Sequence, residues 1–345
     1  MKQLMARISR SQPLLILAAI ALVVVLIAGA VTHYRLPQYD EQSTDIYFTY
    51  LDGQRILSGE NPYARILSGN MRENQKYSTY FPLFFLLAAG TQWLGLARFE
   101  EWISFWRIVL LLCNVGTGFM IFLVLRRRGA SLLGFFGLLF WFFNRWTLQI
   151  TPVGALEYLP IFFLVLSLAL LPRHRALALV LFGVSLALKQ VAVFLAPLYL
   201  IAVWQSTEQN RWRQLAWAGV LMAAVPVAVS LPFLAWNAEG FVRSIVFSAT
   251  RDAASHFNAP SLDGYLGLTG LTARLPMVAM MGLVYLMMIR RTLGMATAAF
   301  LAMAVFLSFN PVVFLQYFVW EVPLLLLAVA EGISIDSPRF RSPVT

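Results

Sequence analysis

Long apolar stretches recur along this chain, and they limit its possible folds more than any other feature. A helix needs about 20 mostly apolar residues to cross a bilayer. Ten candidate stretches are found at 13–32, 103–125, 130–146, 157–171, 175–188, 190–204, 214–235, 274–289, 293–309 and 312–331. The sequence therefore predicts an all-α, polytopic integral membrane protein with about ten transmembrane helices.

The composition agrees with this fold class. Hydrophobic residues make up 60% of the 345 residues and charged residues only 12%, whereas soluble domains have roughly 45–50% apolar and about 25% charged residues. This balance excludes a water-soluble enzyme, a disordered chain and a fibrous repeat. The single cysteine, Cys113, excludes a disulfide framework, and the three separated histidines do not favour a histidine-built metal site.

The basic residues indicate how the chain crosses the membrane. The net charge is +10, but the arginines cluster between apolar runs, where they act as topology signals rather than nucleic-acid contacts. With the N-terminus inside, the inner segments hold most of these arginines: 1–12, 126–129, 172–174, 205–213, 290–292 and 332–345. The run 13–32 resembles a signal peptide, but its length and the absence of a small-x-small cleavage site predict a retained first span.

Two segments decide this topology. The run 81–97 begins at a proline-containing turn and contains Gly90 and Gln92, so we predict a re-entrant or interfacial helix that does not cross. If it crossed, the arginines at 126–128 would lie outside, against the positive-inside rule. The segment 175–204 is either two spans broken at Lys189 or one long helix. One long helix would reverse the predicted orientation of every later segment in the membrane.

On this topology residues 1–345 form a single membrane domain with two long extracytoplasmic loops, 33–102 and 236–273, which hold most of the acidic residues. Chemistry is therefore expected on the outer face. In the first loop, the pattern of residues 43–59 predicts an amphipathic interfacial helix, with apolar positions at Ile46, Tyr50, Gly53 and Leu57. Ser43 or Thr44 is its predicted N-cap, and Gly59 its predicted end.

Asp45 lies in the first turn of this predicted helix. A carboxylate at the headgroup level can accept a proton from an acceptor hydroxyl as a general base. The alternative is that it only stabilises the helix N-terminus. Asp52 is expected to be a solvated surface residue. The adjacent acids Asp40–Glu41 are an alternative to Asp45 in the same loop, although they precede the predicted helix.

Four ordered segments are similar to polyprenyl-phosphate-mannose-dependent mannosyltransferases of the GT-C superfamily, most of all to the catalytic subunit of GPI mannosyltransferase I. They are Asp45 to Gly59-x-Asn61-Pro62-Tyr63 with Tyr80-Phe81-Pro82-Leu83; Leu188-Lys189-Gln190; Thr250-Arg251-Asp252-Ala253-Ala254-Ser255-His256-Phe257-Asn258; and Phe309-Asn310-Pro311-Val312 with Gln316-Tyr317-Phe318-Val319-Trp320. They span residues 45–320, which is most of the chain. This sequence departs from the family's Asp-x-Asp pair by keeping only its second aspartate, as Ser43-Thr44-Asp45.

The resemblance implies the GT-C fold and a set of site residues. Asp45 is the implied catalytic base. Residues implied to bind the donor phosphate or sugar are Arg251, Lys189, His256, Asn258 and Gln316. Secondary candidates, including acceptor contacts, are Asp252, Glu157, Tyr80, Tyr317 and Glu321. No metal ligand is assigned, and a Mg²⁺ or Mn²⁺ cofactor is not firmly implied because a single carboxylate remains of the pair.

Several of these residues keep a structural alternative. Lys189 could snorkel to the interface, and Arg251 could pair with Asp252 or Glu239. Glu321, a carboxylate inside a span, is a functional candidate by default but could pair with an arginine of a neighbouring helix. Structural roles are also open for three others: His256 as a loop histidine, Glu157 as a plain loop acid and Tyr317 as an interfacial belt residue.

The predicted activity is transfer of mannose, or another hexose, from a polyprenyl-phosphate donor to a hydroxyl of a lipid-linked or glycan acceptor, with inversion. Expected partners are the donor, the acceptor, membrane lipids and a small accessory subunit, but no nucleic acid. The expected location is a bacterial inner membrane with a periplasmic site, with the eukaryotic ER as the alternative. The rival functions are a lipid-linked-oligosaccharide flippase or polymerase, an envelope-glycan transporter, and a non-catalytic scaffold subunit.

Overall fold

The computed structural model describes residues 2–37, 45–68, 77–250, 261–268, 270–310 and 314–335. Fifteen α-helices make up most of this part of the chain: α1 (Lys2–Arg35), α2 (Asp45–Leu57), α3 (Leu83–Trp93), α4 (Phe99–Arg127), α5 (Ser131–Phe143), α6 (Arg145–Ile150), α7 (Tyr158–Leu170), α8 (Arg175–Leu188), α9 (Ala196–Gln205), α10 (Arg211–Trp236), α11 (Ala238–Thr250), α12 (Leu262–Tyr265), α13 (Gly270–Ile289), α14 (Met295–Phe309) and α15 (Phe318–Ile335). Three 3₁₀ segments join them at Pro62–Leu67, Gln190–Leu195 and Leu315–Tyr317. The all-α fold class is confirmed.

The apolar helices fall into two length classes. Among the described residues, five stretches are long and apolar enough to cross a membrane: Leu15–Arg35, Phe99–Arg127, Arg211–Phe247, Thr272–Ile289 and Leu315–Ile333. Other apolar helices, among them α7, α8, α14 and the segment Gln190–Gln205, have only 10–17 residues. The chain is thus a polytopic integral membrane protein, but several of its predicted spans are shorter than the hydrocarbon thickness.

The stretch predicted as one span over 130–146 ends earlier than expected. Helix α5 stops at Phe143 because Asn144 is extended, and its side-chain oxygen accepts hydrogen bonds from the backbone N–H groups of Trp146 and Thr147. An asparagine in this role begins a new helix rather than continuing the old one. The predicted span is therefore two helices, α5 and α6.

The segment 175–204 forms a helical hairpin, so the alternative of one long helix is wrong. Helix α8 ends at Leu188, Lys189 is extended, and the chain returns through a 3₁₀ turn into α9. Arg175, at the start of α8, donates hydrogen bonds to Ser206 and Thr207, which follow α9. Because these two ends lie side by side, the two helices are antiparallel.

The predicted amphipathic helix of the first loop is α2. Its residues Ile46, Tyr50 and Gly53 are buried, whereas Leu57 is exposed, and the helix packs against α3. A Cβ atom at Gly53 would lie only 2.7 Å from Gln92 Nε2, so glycine permits this close helix contact. Gly59 has φ +81° and ends the helix as expected.

Asp52 is buried, so its expected place as a solvated surface residue is wrong. Its carboxylate accepts a 2.6 Å hydrogen bond from the Ser78 hydroxyl and a 2.5 Å hydrogen bond from Arg55. Burial raises the pKa of Asp52 to about 6, although Ser78 and Arg55 oppose this shift. The aspartate therefore ties α2 to the extended segment 77–80, which carries part of the candidate site.

Candidate active site

The Asp45 carboxylate lies where the first loop meets the start of the last helix. Asp45 is the first residue of α2. Its Oδ2 atom accepts hydrogen bonds from the Tyr80 hydroxyl at 3.3 Å and from Gln316 Nε2 at 3.4 Å. The residue is partly exposed, so these hydrogen bonds hold the carboxylate without sealing it from a substrate.

A buried ion pair lies next to this carboxylate. Lys189, in the break between α8 and α9, pairs through its ammonium with Glu157 Oε1, and both side chains are only 1% exposed. The Lys189 ammonium also lies 4.8 Å from the centre of the Tyr80 ring and 5.7 Å from that of Tyr317. Cation–π attraction and charge pairing together offset the cost of burying this lysine.

Tyr80 connects the two parts of the site. Its hydroxyl contacts Asp45 while its ring contacts Lys189. Its backbone carbonyl accepts a 2.6 Å hydrogen bond from the Tyr63 hydroxyl, and the neighbouring Thr79 carbonyl accepts one of 2.6 Å from Gln190 Nε2. Burial raises the pKa of Tyr80 well above its usual value, so the hydroxyl stays protonated and donates to Asp45.

Six residues selected from the sequence are brought together here. They are Asp45, Tyr80, Glu157, Lys189, Gln316 and Tyr317. The other four loop candidates, Arg251, Asp252, His256 and Asn258, lie outside the described residues.

The geometry bears on the structural alternatives. Lys189 is buried and paired rather than snorkelling, and Glu157 is not a plain loop acid. The binding of the donor phosphate by Lys189 stays a prediction. The pairing does not favour it, because Glu157 already neutralises the Lys189 charge. Glu321 lies in α15, beyond Tyr317, and no cation in the described part of the chain lies within ion-pair distance of it.

Sequence reasoning missed the residues that position Tyr80. Tyr63, Ser78 and Thr79 fix the segment through side-chain and carbonyl hydrogen bonds. The pairing of Lys189 with Glu157 was also missed, although a lysine between two apolar runs needs an acidic partner. Glu157 is an acidic residue at the same predicted membrane boundary as Lys189, and this shared position could have indicated the pair.

The described ranges contain no group of three or more His, Cys, Asp or Glu side chains that could hold a metal ion. The acids Asp40, Glu41 and Asp252 lie outside those ranges, so the part played by Mg²⁺ or Mn²⁺ stays a prediction.

The helical arrangement of this chain recurs among solved structures. One structure that shares it is ArnT from Cupriavidus metallidurans bound to undecaprenyl phosphate, with a TM-score of 0.56 and 17% sequence identity. The match covers 95% of this chain and 61% of that chain, so this chain spans about three fifths of the length of that protein. No protein-family model matches the sequence, and the comparison with curated proteins gives no match.

Proposed function

We propose that this protein is a membrane glycosyltransferase that moves a sugar from a polyprenyl-phosphate donor to an acceptor hydroxyl, with Asp45 as the general base. The observation that carries the proposal is the partly exposed Asp45 carboxylate, held by Tyr80 and Gln316 beside a buried charge pair. The GT-C fold, shared with a protein whose structure contains undecaprenyl phosphate, supports the donor class.

The reaction follows from the chemistry of this carboxylate. Asp45 takes the proton of the acceptor hydroxyl as that oxygen attacks the anomeric carbon. The bond from this carbon to the phosphate oxygen breaks, and polyprenyl phosphate leaves with the electron pair. Attack opposite the phosphate inverts the anomeric configuration. The donors Tyr80 and Gln316 stabilise the charged form of Asp45 and fix its orientation.

The negative charge that develops on the phosphate needs a nearby cation. We assign this role to Arg251 on the sequence resemblance, because a guanidinium can bind phosphate oxygens in a bidentate manner. His256 and Asn258 are assigned to the phosphate or the sugar hydroxyls on the same basis. Lys189 is proposed to act mainly by placing Tyr80, since its charge is compensated by Glu157.

The finer assignments also rest on the sequence resemblance. Mannose, or another hexose, is the proposed sugar, and a lipid-linked or glycan hydroxyl is the proposed acceptor. The proposed location is a bacterial inner membrane with the site on the periplasmic face. A small accessory subunit is a proposed partner.

The test is the isosteric Asp45→Asn variant in proteoliposomes, supplied with radiolabelled polyprenyl-phosphate mannose and a panel of acceptor lipids. Removing a general base is expected to lower the transfer rate by about 10²–10⁴. Glu100→Gln is the matched control, because Glu100 is an exposed acid of the same predicted loop with only a 3.8 Å contact to Arg98. Near-normal transfer by a folded Asp45→Asn protein would refute the base assignment.

A further inference from the structure

A cavity with a volume of about 390 Å³ lies at one end of the helix bundle, where α9, α10 and α13 meet. Its polar and aromatic wall is formed by Trp204, Gln205, Arg211, Trp212 and Arg291. The Gln205 amide joins the ends of two of these helices, because it donates hydrogen bonds to the Met288 and Ile289 carbonyls at 2.6 and 3.2 Å. We refer to this cavity as the α9–α13 cavity.

The α9–α13 cavity is separate from the candidate active site. Lys189 precedes the 3₁₀ turn that leads into α9, whereas Gln205 is the last residue of α9. The cavity therefore lies at the end of the α8–α9 hairpin that is away from the Lys189–Glu157 pair. The segments beside it, 205–213 and 290–292, are those predicted to lie on the inner side of the membrane.

Two exposed arginines give this cavity a positive charge. Arg211 donates through Nε to the Thr207 carbonyl at 2.8 Å, and its guanidinium lies 5.2 Å from the centre of the Trp204 ring. Arg291 donates to the Gln205 carbonyl at 3.4 Å. In the described ranges no carboxylate lies within ion-pair distance of either arginine. These contacts orient both guanidinium groups but leave their charges uncompensated.

The start of α10 adds to this positive potential. The helix begins at Arg211, after Asn210, whose side chain makes no capping hydrogen bond. Its first turn contains Arg211 and Arg213 but no acidic residue. The first N–H groups of a helix have no partner within it, and the helix dipole favours an anion at this end and disfavours cations. A bound anion would therefore satisfy the helix start and the arginines together.

The remaining wall is apolar and faces the lipid. Trp204 and Trp212 pack edge to face with their ring centres 5.2 Å apart, and Leu215 and Ile289 extend this wall. Trp212 is 76% exposed and Ile289 56% exposed. They lie at the ends of α10 and α13, which are long and apolar enough to cross a membrane. A ligand that fits combines an anionic group with hydrocarbon chains that continue along these helices.

An anionic phospholipid has both properties. Its phosphate can accept charge-assisted hydrogen bonds from two arginines, and its chains can lie against the apolar wall. A zwitterionic headgroup would bring a further cation towards two uncompensated arginines, so an anionic headgroup fits better. We propose that the α9–α13 cavity binds one anionic phospholipid of the inner leaflet, with its phosphate between Arg211 and Arg291 and its chains along α10 and α13.

The test measures lipid binding by delipidated full-length protein in detergent, using native mass spectrometry. The probes are dioleoyl-phosphatidylglycerol; dioleoyl-phosphatidylcholine, which has the same chains but a zwitterionic headgroup; and glycerol phosphate, which lacks the chains. One phosphatidylglycerol is expected to bind, and both other probes are expected to bind about tenfold more weakly, which is the effect of losing one charged or apolar contact.

The variant Arg291→Gly removes one of the two charges without straining the backbone. Arg291 has φ +60°, a conformation that glycine adopts more easily than arginine. The variant is therefore expected to fold at least as well as the wild type and to bind phosphatidylglycerol about tenfold more weakly. Arg211→Gln is expected to cause a similar loss, and Arg291→Gly alone decides if that variant does not fold.

The matched control is Arg290→Gln. Arg290 is the neighbouring exposed arginine, but it does not line the cavity, so this variant is expected to bind phosphatidylglycerol like the wild type. An equal loss in Arg290→Gln and Arg291→Gly would show general attraction to a basic surface and overturn the proposal. Unchanged binding by Arg291→Gly, or equal affinity for phosphatidylcholine or glycerol phosphate, would overturn it as well.

Discussion

The buried Lys189–Glu157 pair gives the sharpest prediction about what holds the site together. Both side chains are only 1% exposed. Lys189→Met would leave the Glu157 charge buried without its partner, and Glu157→Gln would do the same to Lys189. Breaking a buried pair from one side costs about 3–5 kcal/mol. For a chain of this size we expect the midpoint of thermal unfolding to fall by about 4–7 °C in either single variant.

The double variant Lys189→Met/Glu157→Gln removes both charges together. Replacing a whole buried pair is often close to neutral, so the double variant is expected to recover most of the loss. The assay is thermal unfolding followed by intrinsic fluorescence in detergent. The matched control is the exposed pair Arg243–Glu239, joined at 2.8 Å, whose disruption is expected to cost only about 0.2–1 kcal/mol. If the double variant lost as much thermal stability as the two single variants together, the coupling of the two buried charges would be refuted.

Two further predictions concern α2. Burial raises the pKa of Asp52 from 3.8 to about 6, so the folded state holds the proton more tightly than the unfolded chain. The local stability of α2 is therefore expected to be highest below pH of about 4, to fall by about 3 kcal/mol up to pH of about 6 and to be constant above it. Hydrogen exchange should show this pH dependence of stability in the wild type but not in Asp52→Asn. The same pH dependence in both proteins would contradict the assignment. In Gly53→Ala the new Cβ would lie 2.7 Å from Gln92 Nε2 and 2.9 Å from the Ala89 backbone nitrogen, so we expect a loss of about 1–3 kcal/mol in thermal unfolding and slower sugar transfer. Gly90→Ala, where nothing lies within 4 Å, is the control and should gain up to about 1 kcal/mol; equal effects of the two variants would show that the close contact does not matter.

Much of the local structure was predictable because it depends on neighbours in sequence. The α2 helix, its end at Gly59 and the break at Lys189 follow from capping residues, glycine and a polar residue between apolar runs. The selection of Asp45 and Gln316 as site residues also came from the sequence. Their contact did not, because 271 residues separate them.

The errors arise where a partner comes from elsewhere in the chain. Asp52 was expected in solvent because nothing near it in sequence indicated that Ser78, 26 residues later, would cover it. Glu157 and Lys189 were each weighed as separate site candidates, since their pairing depends on how α7 packs against α8. The early end of α5 was missed because the capping role of Asn144 is hard to distinguish from a polar residue tolerated within a span.

The α8–α9 hairpin is fastened at both of its ends. At one end Arg175 ties the start of α8 to Ser206 and Thr207, and at the other end Lys189 is held by Glu157. A hairpin restrained at both ends is expected to stay rigid within the bundle. Any rearrangement during a catalytic cycle would then occur in the outer loop, which contacts this rigid hairpin through the hydrogen bond from Gln190 to the Thr79 carbonyl.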